Sequence, residues 1–220
     1  MALNLTGLSS EKEQLRNQAL ARRDALNQDN PASEKERLRT ETLMRRDALP
    51  AAERKAGAEF IAAREFPVEV PPGAIVSGFM PMKSEINPLP LLKRLAADGA
   101  KLALPVVAGR GKPLIMRAWD FGAPLDSGVW GISQPKADAP AADPDILIVP
   151  LACFDRRGHR IGYGAGYYDM TIHRLRGLKP VIAIGIAFAV QEIPRVPVTE
   201  RDERLDLVLT EREIIDCRKA

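Results

Sequence analysis

The sequence predicts an α/β fold of three layers, in which helices cover both faces of an open, mostly parallel sheet. Two observations support this prediction. Short apolar runs alternate with helix-forming segments from about residue 74 onward. The run at 145–150 (DILIVP) has apolar residues on both faces, as a central parallel strand requires. Ligands of such sheets bind beyond the carboxyl ends of the strands, which here means after Val149, Phe79 and Ile186.

Turn-forming residues divide the chain into elements that follow one another in a regular order. The predicted strands are 74–79, 101–107, 115–119 (at an edge or in a hairpin), 145–150, 180–186 and 205–209. The predicted helices are 33–49, 51–64, 88–98, 167–175 and a terminal helix at 211–217. Proline and glycine mark several ends, such as Pro67 and Gly99. Residues 122–143 are rich in Gly, Pro, Ala and Asp and are predicted to form a surface loop.

The N-terminal region contains an internal near-repeat. Residues 10–26 match residues 33–49 at 12 of 17 positions. Both copies are charged, free of proline and rich in helix formers. Each begins with a serine suited to cap a helix (Ser33 in the second copy), followed three residues later by Glu. Only one copy can occupy a given site, so we predict a single α/β domain at 31–220 that is preceded by a helical extension at 1–30.

Composition and charge narrow the possible functions. A net charge of +3, from 32 basic and 29 acidic residues, is too mild to indicate nucleic-acid binding. The longest apolar runs are too short to span a bilayer, and the N-terminus lacks a secretory signal pattern. The two cysteines, Cys153 and Cys217, have no metal-type spacing. We therefore expect a cytoplasmic protein without disulfides, and without nucleic acid or membrane as a partner.

The segment 158–169 (GHRIGYGAGYYD) follows the clearest strand and opens a helix. Three glycines at alternate positions would let the backbone approach a phosphate and adopt positive φ angles. The helix N-terminus adds a partial positive charge, and Asp169 in its first turn could hold Mg²⁺ against the phosphates. Arg160 could pair with a phosphate through two nitrogens. Taken alone, the glycines are better explained as a tight turn, because their spacing matches neither of the common nucleotide-binding patterns.

The longer string resembles the signature of the 5-formyltetrahydrofolate cyclo-ligase family. The resemblance begins at 150–155 (PLACFD), continues through 158–169, and extends from about residue 33 to the C-terminus. Further matching motifs in the same order are KERLR at 35–39, FMPMKSE at 79–85, LP at 104–105, GIAF at 185–188 with Gln191, and Asp202 before RLDLVLT at 204–210. The chain departs from the usual pattern at Ile161, Ala165, Met170 and Arg201, the last in place of a usual His.

The resemblance implies the ATP- and Mg²⁺-dependent conversion of 5-formyltetrahydrofolate to 5,10-methenyltetrahydrofolate, with release of ADP and phosphate, by a monomer. It also implies the fold of sugar-phosphate isomerases and CoA transferases. The implied nucleotide-binding residues are Lys35, Arg39, Arg160, Gly162, Tyr163, Gly164, Ala165, Gly166 and Tyr167. The implied folate-binding residues are Met80, Glu85, Gly166, Tyr167 and Tyr168. Asp169 and Asp202 would bind the metal, and Arg160 and Tyr168 would act in catalysis.

Other functions on the same fold stay open at this point. A sugar-phosphate isomerase, a sugar-phosphate sensor or a family paralogue with another substrate could carry a similar glycine-rich loop, and ATP consumption would separate the first two from a cyclo-ligase. Glu85 could be an acid placed near a helix N-terminus. Trp119 and Trp130 could line a pteridine pocket or pack in the core. Cys153 is best explained as a buried structural thiol.

The near-repeat yields a direct test, because Lys12 and Arg16 in the first copy could replace Lys35 and Arg39. We expect the second copy to serve the site, since it joins the folded body at the usual distance. Deleting residues 1–29 should therefore leave the specific activity of the purified protein unchanged. A truncated protein that is folded but inactive would show that the first copy supplies these cations.

Overall fold

The computed structural model of the protein describes residues 31–219. The strands, in chain order, are β1 (Ile75–Ser77), β2 (Lys101–Val106), β3 (Ile115–Ala118), β4 (Asp126–Ser127), β5 (Ser133–Gln134), β6 (Ile146–Pro150), β7 (Cys153–Phe154), β8 (Arg160–Ile161), β9 (Ile182–Ile186), β10 (Leu207–Leu209) and β11 (Ile214–Asp216). The α-helices are α1 (Pro31–Asp47), α2 (Ala51–Ala63), α3 (Leu89–Ala97) and α4 (Tyr167–Arg176). Short 3₁₀ helices lie at Val129–Gly131, Ala189–Gln191 and Cys217–Lys219.

Seven of these strands form one sheet in the order β11-β10-β9-β6-β1-β2-β3. The five central strands run parallel, while β3 and β11 pair antiparallel at the two edges. The predicted central strand is confirmed as β6, whose residues Ile146–Val149 are all buried. Pairing of β3 with β2 also confirms the edge strand predicted at 115–119.

Burial alternates along β6 between two hydrophobic clusters, one on each face of the sheet. Ile146 and Ile148 pack with residues of α2 and α3, whereas Leu147 and Val149 pack with residues of α4. Side chains of a strand point alternately to opposite faces, so helices cover the sheet on both sides. The predicted three-layer α/β architecture is confirmed.

The α1 helix lies across the carboxyl ends of the central strands. It contacts β7, which follows β6, and the 3₁₀ helix at Ala189–Gln191, which follows β9. Leu38 packs against a small buried cluster that contains Cys153 and Ile161, and Thr42 is fully buried. The second copy of the near-repeat is therefore part of the folded body, whereas the extension predicted at 1–30 falls outside the described residues.

Two predictions of local structure were wrong. The terminal helix expected at 211–217 is instead a strand, β11. The Thr210 hydroxyl accepts hydrogen bonds from the backbone N–H groups of Arg212 and Glu213, and this turn directs the chain back along β10. Pairing at the sheet edge then buries Ile215 and overrides helix propensity. Ser33 does not cap α1, since the chain is already helical at Pro31, a residue that fits the first turn of a helix.

Short secondary structure also interrupts the loop predicted at 122–143, where β4 and β5 form a two-stranded ribbon around a 3₁₀ turn. Among residues 31–219, no helix combines the length and the hydropathy needed to cross a bilayer.

Gly185 in β9 tests how tightly the side chains of Leu151 and Leu205 pack against the sheet. A Cβ atom at this position would lie 2.7 Å from Leu205 Cδ1 and 2.9 Å from Leu151 Cδ2. We expect Gly185→Ala to lower the free energy of unfolding by about 1–3 kcal/mol, measured from urea denaturation midpoints. Gly177→Ala is the matched control, because its φ is −72° and the nearest atom would be 3.4 Å away. Equal stability of the two variants would contradict the close packing of Leu151 and Leu205 around Gly185.

Candidate active site

A glycine-rich loop at 162–166 (GYGAG) joins β8 to α4. Gly164 and Gly166 have φ angles of 98° and 67°, a region that favours glycine, and Gly166 caps the N-terminus of α4. A Cβ atom at Gly162 or Gly166 would meet no atom within 4 Å. The loop therefore presents open backbone in front of a helix N-terminus, an arrangement that suits an anion. The expectation of positive φ holds for two of the three glycines.

Cationic side chains of α1 lie along the outer side of this loop. Arg39 donates a hydrogen bond from Nε to the Gly162 carbonyl oxygen at 2.8 Å. Its guanidinium also lies 3.6 Å from the position that a Cβ atom on Gly164 would take. One helical turn earlier, the Lys35 ammonium pairs with the Asp202 carboxylate. Two positive charges therefore stand beside the loop where phosphates would approach.

The two carboxylates predicted to bind metal are both near the loop, and each is already partnered. Asp169 Oδ1 accepts hydrogen bonds from Arg160 Nη2 at 2.8 Å and from the Glu203 backbone N–H at 3.1 Å. Asp202 Oδ2 accepts from Lys35 and from the Thr199 backbone N–H. Although burial opposes it, these hydrogen bonds lower the pKa of Asp202, so its carboxyl is ionised at neutral pH.

These carboxylates fit a magnesium ion that is held mainly by phosphate. In the described part of the chain, the second oxygen of Asp169 and of Asp202 has no hydrogen-bond partner. No group of three or more His, Cys, Asp or Glu side chains within residues 31–219 could hold a metal. Mg²⁺ commonly binds one or two carboxylates and takes its other oxygens from phosphates and water, so the donor set suits a nucleotide-bound ion.

Arg160 faces the protein more than the expected phosphate. Its side chain is buried, with 6% of the residue exposed, and Nη1 donates to the Glu203 carbonyl oxygen at 2.6 Å. Because Nη2 donates to Asp169, both terminal nitrogens already have partners within the protein. Arg160 therefore does not present a free pair of nitrogens for a bidentate contact with phosphate. Burial lowers the pKa of Arg160, and the Asp169 and Asp202 carboxylates oppose that shift. In this geometry Arg160 orients the Asp169 carboxylate.

A cavity of about 450 Å³ lies on the inner side of the loop, beside the carboxyl ends of β1, β2 and β6. This volume suits a small organic ligand. The predicted site residues that line it are Met80, Glu85, Arg160, Gly162, Tyr163, Ala165, Gly166, Tyr167, Tyr168 and Asp169. Lys35, Arg39, Gly164 and Asp202 do not line it, since they lie on the α1 side of the loop. One loop thus separates a cationic surface from a ligand-sized cavity.

Burial shifts the pKa values of Glu85 and Tyr168, two of the side chains that line the cavity. Burial raises the pKa of Glu85, while a hydrogen bond with Tyr163 and the charge of Arg46 oppose the shift. Burial and the nearby Glu85 carboxylate raise the pKa of Tyr168 above its ordinary value, so the phenol stays protonated. Its buried hydroxyl has no hydrogen-bond partner in the described chain. An unpaired buried hydroxyl beside a cavity is available to hydrogen-bond a ligand or a water molecule there.

The two tryptophans have different roles. Trp130 lines the cavity with 66% of the residue exposed, and its ring centroid lies 6.3 Å from that of Tyr167. Trp119 is buried against the core, and its Nε1 donates to the Ala123 carbonyl oxygen. Trp130 therefore belongs to the site and Trp119 to the packing.

The sequence reasoning missed Arg46, which reaches the cavity from the end of α1. Arg46 Nη1 donates to the Tyr163 hydroxyl at 2.7 Å, and Nε donates to Ser84 Oγ at 3.1 Å. The one available signal was that both copies of the near-repeat carry this arginine, as Arg23 in the first copy. Other cavity residues that no motif indicated are Val107, Leu114, Val129, Ile132, Ser133 and Gln134.

The two cysteines, neither of which lines the cavity, test whether the described chain contains a reactive thiol. Burial raises the pKa of both Cys153 and Cys217 to about 11, so neither forms an appreciable thiolate near neutral pH. We expect the native protein to be unreactive toward a disulfide reagent at pH 8, and both thiols to react after unfolding in guanidinium. Rapid modification of one thiol in the native protein would contradict this burial.

Comparison with known proteins identifies the family. The 5-formyltetrahydrofolate cyclo-ligase family model matches residues 31–211. The 5-formyltetrahydrofolate cyclo-ligase of Escherichia coli (strain K12) is 31% identical over 147 residues, which cover 63% of this chain and 79% of that protein. The enzyme of the same name from Mycolicibacterium smegmatis is 32% identical over 155 residues, covering 66% of this chain and 78% of that protein.

Solved structures show the same fold. The 5,10-methenyltetrahydrofolate synthetase of Aquifex aeolicus matches with a TM-score of 0.69 and 27% identity, covering 84% of this chain and 94% of that chain. The synthetase of Mycoplasma pneumoniae matches with a TM-score of 0.63 and 21% identity, covering 80% and 98%. Motif order, site geometry and these matches lead to one conclusion: the chain is a ligase that belongs to the 5-formyltetrahydrofolate cyclo-ligase family.

Proposed function

We propose that this protein cyclises 5-formyltetrahydrofolate to 5,10-methenyltetrahydrofolate, with ATP converted to ADP and phosphate in the presence of Mg²⁺. The observation that carries the proposal is the position of the 162–166 loop. Its outer side faces the cations of α1, and its inner side forms a wall of the cavity that contains Glu85, Trp130 and Tyr168. A phosphate donor and a folate bound on these two sides would meet at the loop.

The chemical problem is that an N-formyl group is an amide-like electrophile whose oxygen is a poor leaving group. In the proposed reaction the formyl oxygen attacks the γ-phosphorus of ATP, and the bond between that phosphorus and ADP breaks. N10 then bonds to the activated carbon and loses its proton, and the carbon–oxygen bond breaks to release phosphate. No protein nucleophile is needed, so the protein contributes positioning and charge stabilisation.

The phosphates would bind the open backbone of the 162–166 loop. Its N–H groups and the N-terminus of α4 supply partial positive charge, and Lys35 and Arg39 supply full charges. A transferred phosphoryl group spreads its charge over its oxygens, so stabilising donors around it are the main contribution that a protein can make.

Asp169 and Asp202 would hold Mg²⁺, through the oxygens that make no hydrogen bond within the described residues. When bound, the ion would neutralise phosphate charge. Arg160 and Lys35 keep these two carboxylates oriented, because each cation is paired with one of them.

The folate would occupy the cavity with its pterin ring toward Glu85. A carboxylate accepts hydrogen bonds from the amino and ring N–H groups of a pterin, and the unpaired Tyr168 hydroxyl can donate to a carbonyl or nitrogen of the ligand. Trp130 and Tyr167 offer aromatic faces for the ring system.

The first experiment is to follow the absorbance of the methenyl product with purified protein, 5-formyltetrahydrofolate and Mg²⁺, before and after ATP is added. We expect an ATP-dependent rise in the wild type. Asp169→Asn should lower kcat on the order of 100-fold and raise the Mg²⁺ concentration needed for half-maximal rate. The amide oxygen can still accept from Arg160, so the fold should persist in this variant.

Asp143→Asn is the matched control, since Asp143 pairs with Arg174 on the surface of α4 and does not line the cavity. Its rate should equal that of the wild type. A wild-type protein that binds ATP without any absorbance rise would refute the proposed reaction and indicate another substrate. An Asp169→Asn variant with normal rate and normal Mg²⁺ dependence would refute the metal assignment alone.

A further inference from the structure

Arg46 is a buried arginine near the end of α1, with 3% of the residue exposed. Its guanidinium contacts two different loops, because Nε donates to Ser84 Oγ at 3.1 Å and Nη1 donates to the Tyr163 hydroxyl at 2.7 Å. The Ser84 hydroxyl donates in turn to Asp47 Oδ1, which also accepts from Arg46. Removing one partner of such a buried network leaves uncompensated polar groups. Arg46 therefore fixes the position of these two loops relative to each other.

Both loops that Arg46 contacts lead to the Glu85 carboxylate. Ser84 is the preceding residue, and the Tyr163 hydroxyl lies close enough to Glu85 to lower the pKa of that carboxyl. Glu85 Oε2 also accepts from the Met82 backbone N–H at 2.7 Å, which holds the side chain over its own turn. Arg46, Glu85 and Tyr163 all line the cavity. The series Arg46–Tyr163–Glu85 therefore forms one polar edge of that cavity.

Arg46 also lies on the same face of α1 as the cations beside the glycine loop. Lys35, Arg39 and Arg46 are separated by four and seven residues, which places them within about 40° around the helix axis. The 11 residues from Lys35 to Arg46 span about 16 Å along the helix. A single helix thus contacts the outer side of the loop at one end and the cavity at the other.

We propose that Arg46 is a positioning residue for the folate: it holds the Tyr163 hydroxyl and the Glu85 carboxylate in the geometry that binds the pterin ring. The inference rests on the proposed function, because it concerns how tightly the substrate of that reaction binds. It predicts that loss of Arg46 weakens folate binding and leaves nucleotide binding largely intact.

The charge of Arg46 gives this role a distinct pH signature. The groups that face Glu85 are Arg46, Tyr163, Tyr168 and the Met82 backbone N–H. Burial raises the pKa of Glu85, and Arg46 opposes the shift, so removing Arg46 should raise that pKa further. An ionised Glu85 is the form that accepts pterin N–H groups, so folate affinity rises with pH through this pKa. In a variant without the charge, the rise should occur at higher pH.

Three variants separate charge from geometry. Arg46→Gln should raise both KM and Kd for 5-formyltetrahydrofolate about tenfold at neutral pH and move the pH dependence upward. Arg46→Lys keeps the charge but cannot reach Ser84 and Tyr163 together, so folate affinity should fall without a change in the pH dependence. Tyr163→Phe retains Arg46 and breaks the link to Glu85, and should weaken folate binding about threefold. KM for ATP should stay within about twofold in all three variants.

Kd is measured by quenching of tryptophan fluorescence, since Trp130 lines the cavity. Arg45→Gln is the matched control, because the neighbouring Arg45 is exposed and bonds only to Thr42 on its own helix within the described chain. It should behave as the wild type. If Arg46→Gln does not fold, Tyr163→Phe and Arg46→Lys test the same link.

Normal folate affinity in Arg46→Gln would overturn the inference. If that variant does not fold, normal affinity in both Arg46→Lys and Tyr163→Phe would overturn it. So would an equal loss of affinity for folate and ATP with an unchanged pH dependence, since that result indicates a general structural role. A wild-type protein that neither binds nor converts the folate would refute the proposed function together with this inference. Full turnover in the wild type with unimpaired folate binding in Arg46→Gln would refute the role of Arg46 alone.

Discussion

The contact between α1 and the 162–166 loop is the constraint on which the rest of the site depends. The loop has little side-chain packing of its own, because a Cβ atom at Gly162 or Gly166 would touch nothing. Two side chains of α1 hold the loop: Arg39 donates to the Gly162 carbonyl oxygen, and Arg46 donates to the Tyr163 hydroxyl. The helical repeat of α1 presents both cations, together with Lys35, on one face. A loop open enough to accept phosphates therefore receives its order from a neighbouring helix.

The charges around the loop are arranged in pairs, which limits the cost of burying them. Lys35 pairs with Asp202, and Arg160 pairs with Asp169. Each cation offsets the desolvation of its carboxylate. A nucleotide with its magnesium would bring both signs of charge to the same place. The second oxygen of each carboxylate could then take the metal while its paired cation stays in place, so that no charge is left unpaired.

The sheet provides the other half of the site. Strands β1, β2 and β6 end at the cavity, and it is lined by residues at or just beyond their carboxyl ends, namely Phe79, Pro105 and Pro150. The strands themselves are held by hydrophobic packing on both faces of the sheet, so the cavity wall is rigid where the loop is open. The combination suits a reaction in which the protein must align two substrates and supplies no nucleophile.

The sequence by itself determined the order of the elements, the buried central strand and the glycine-rich loop, because apolar periodicity and glycine spacing are local properties of the chain. It also named most of the residues around the loop through their family motifs. Only the tertiary structure decided that residues 214–216 pair as an edge strand, that Trp130 and not Trp119 lines the cavity, and that Arg46 reaches Tyr163. Arg46 and Trp130 meet partners far away in the chain, and no local pattern records which partner a side chain will meet. Residues 214–216 pair with the nearby strand β10, whose open edge in the sheet overrides their local helix propensity.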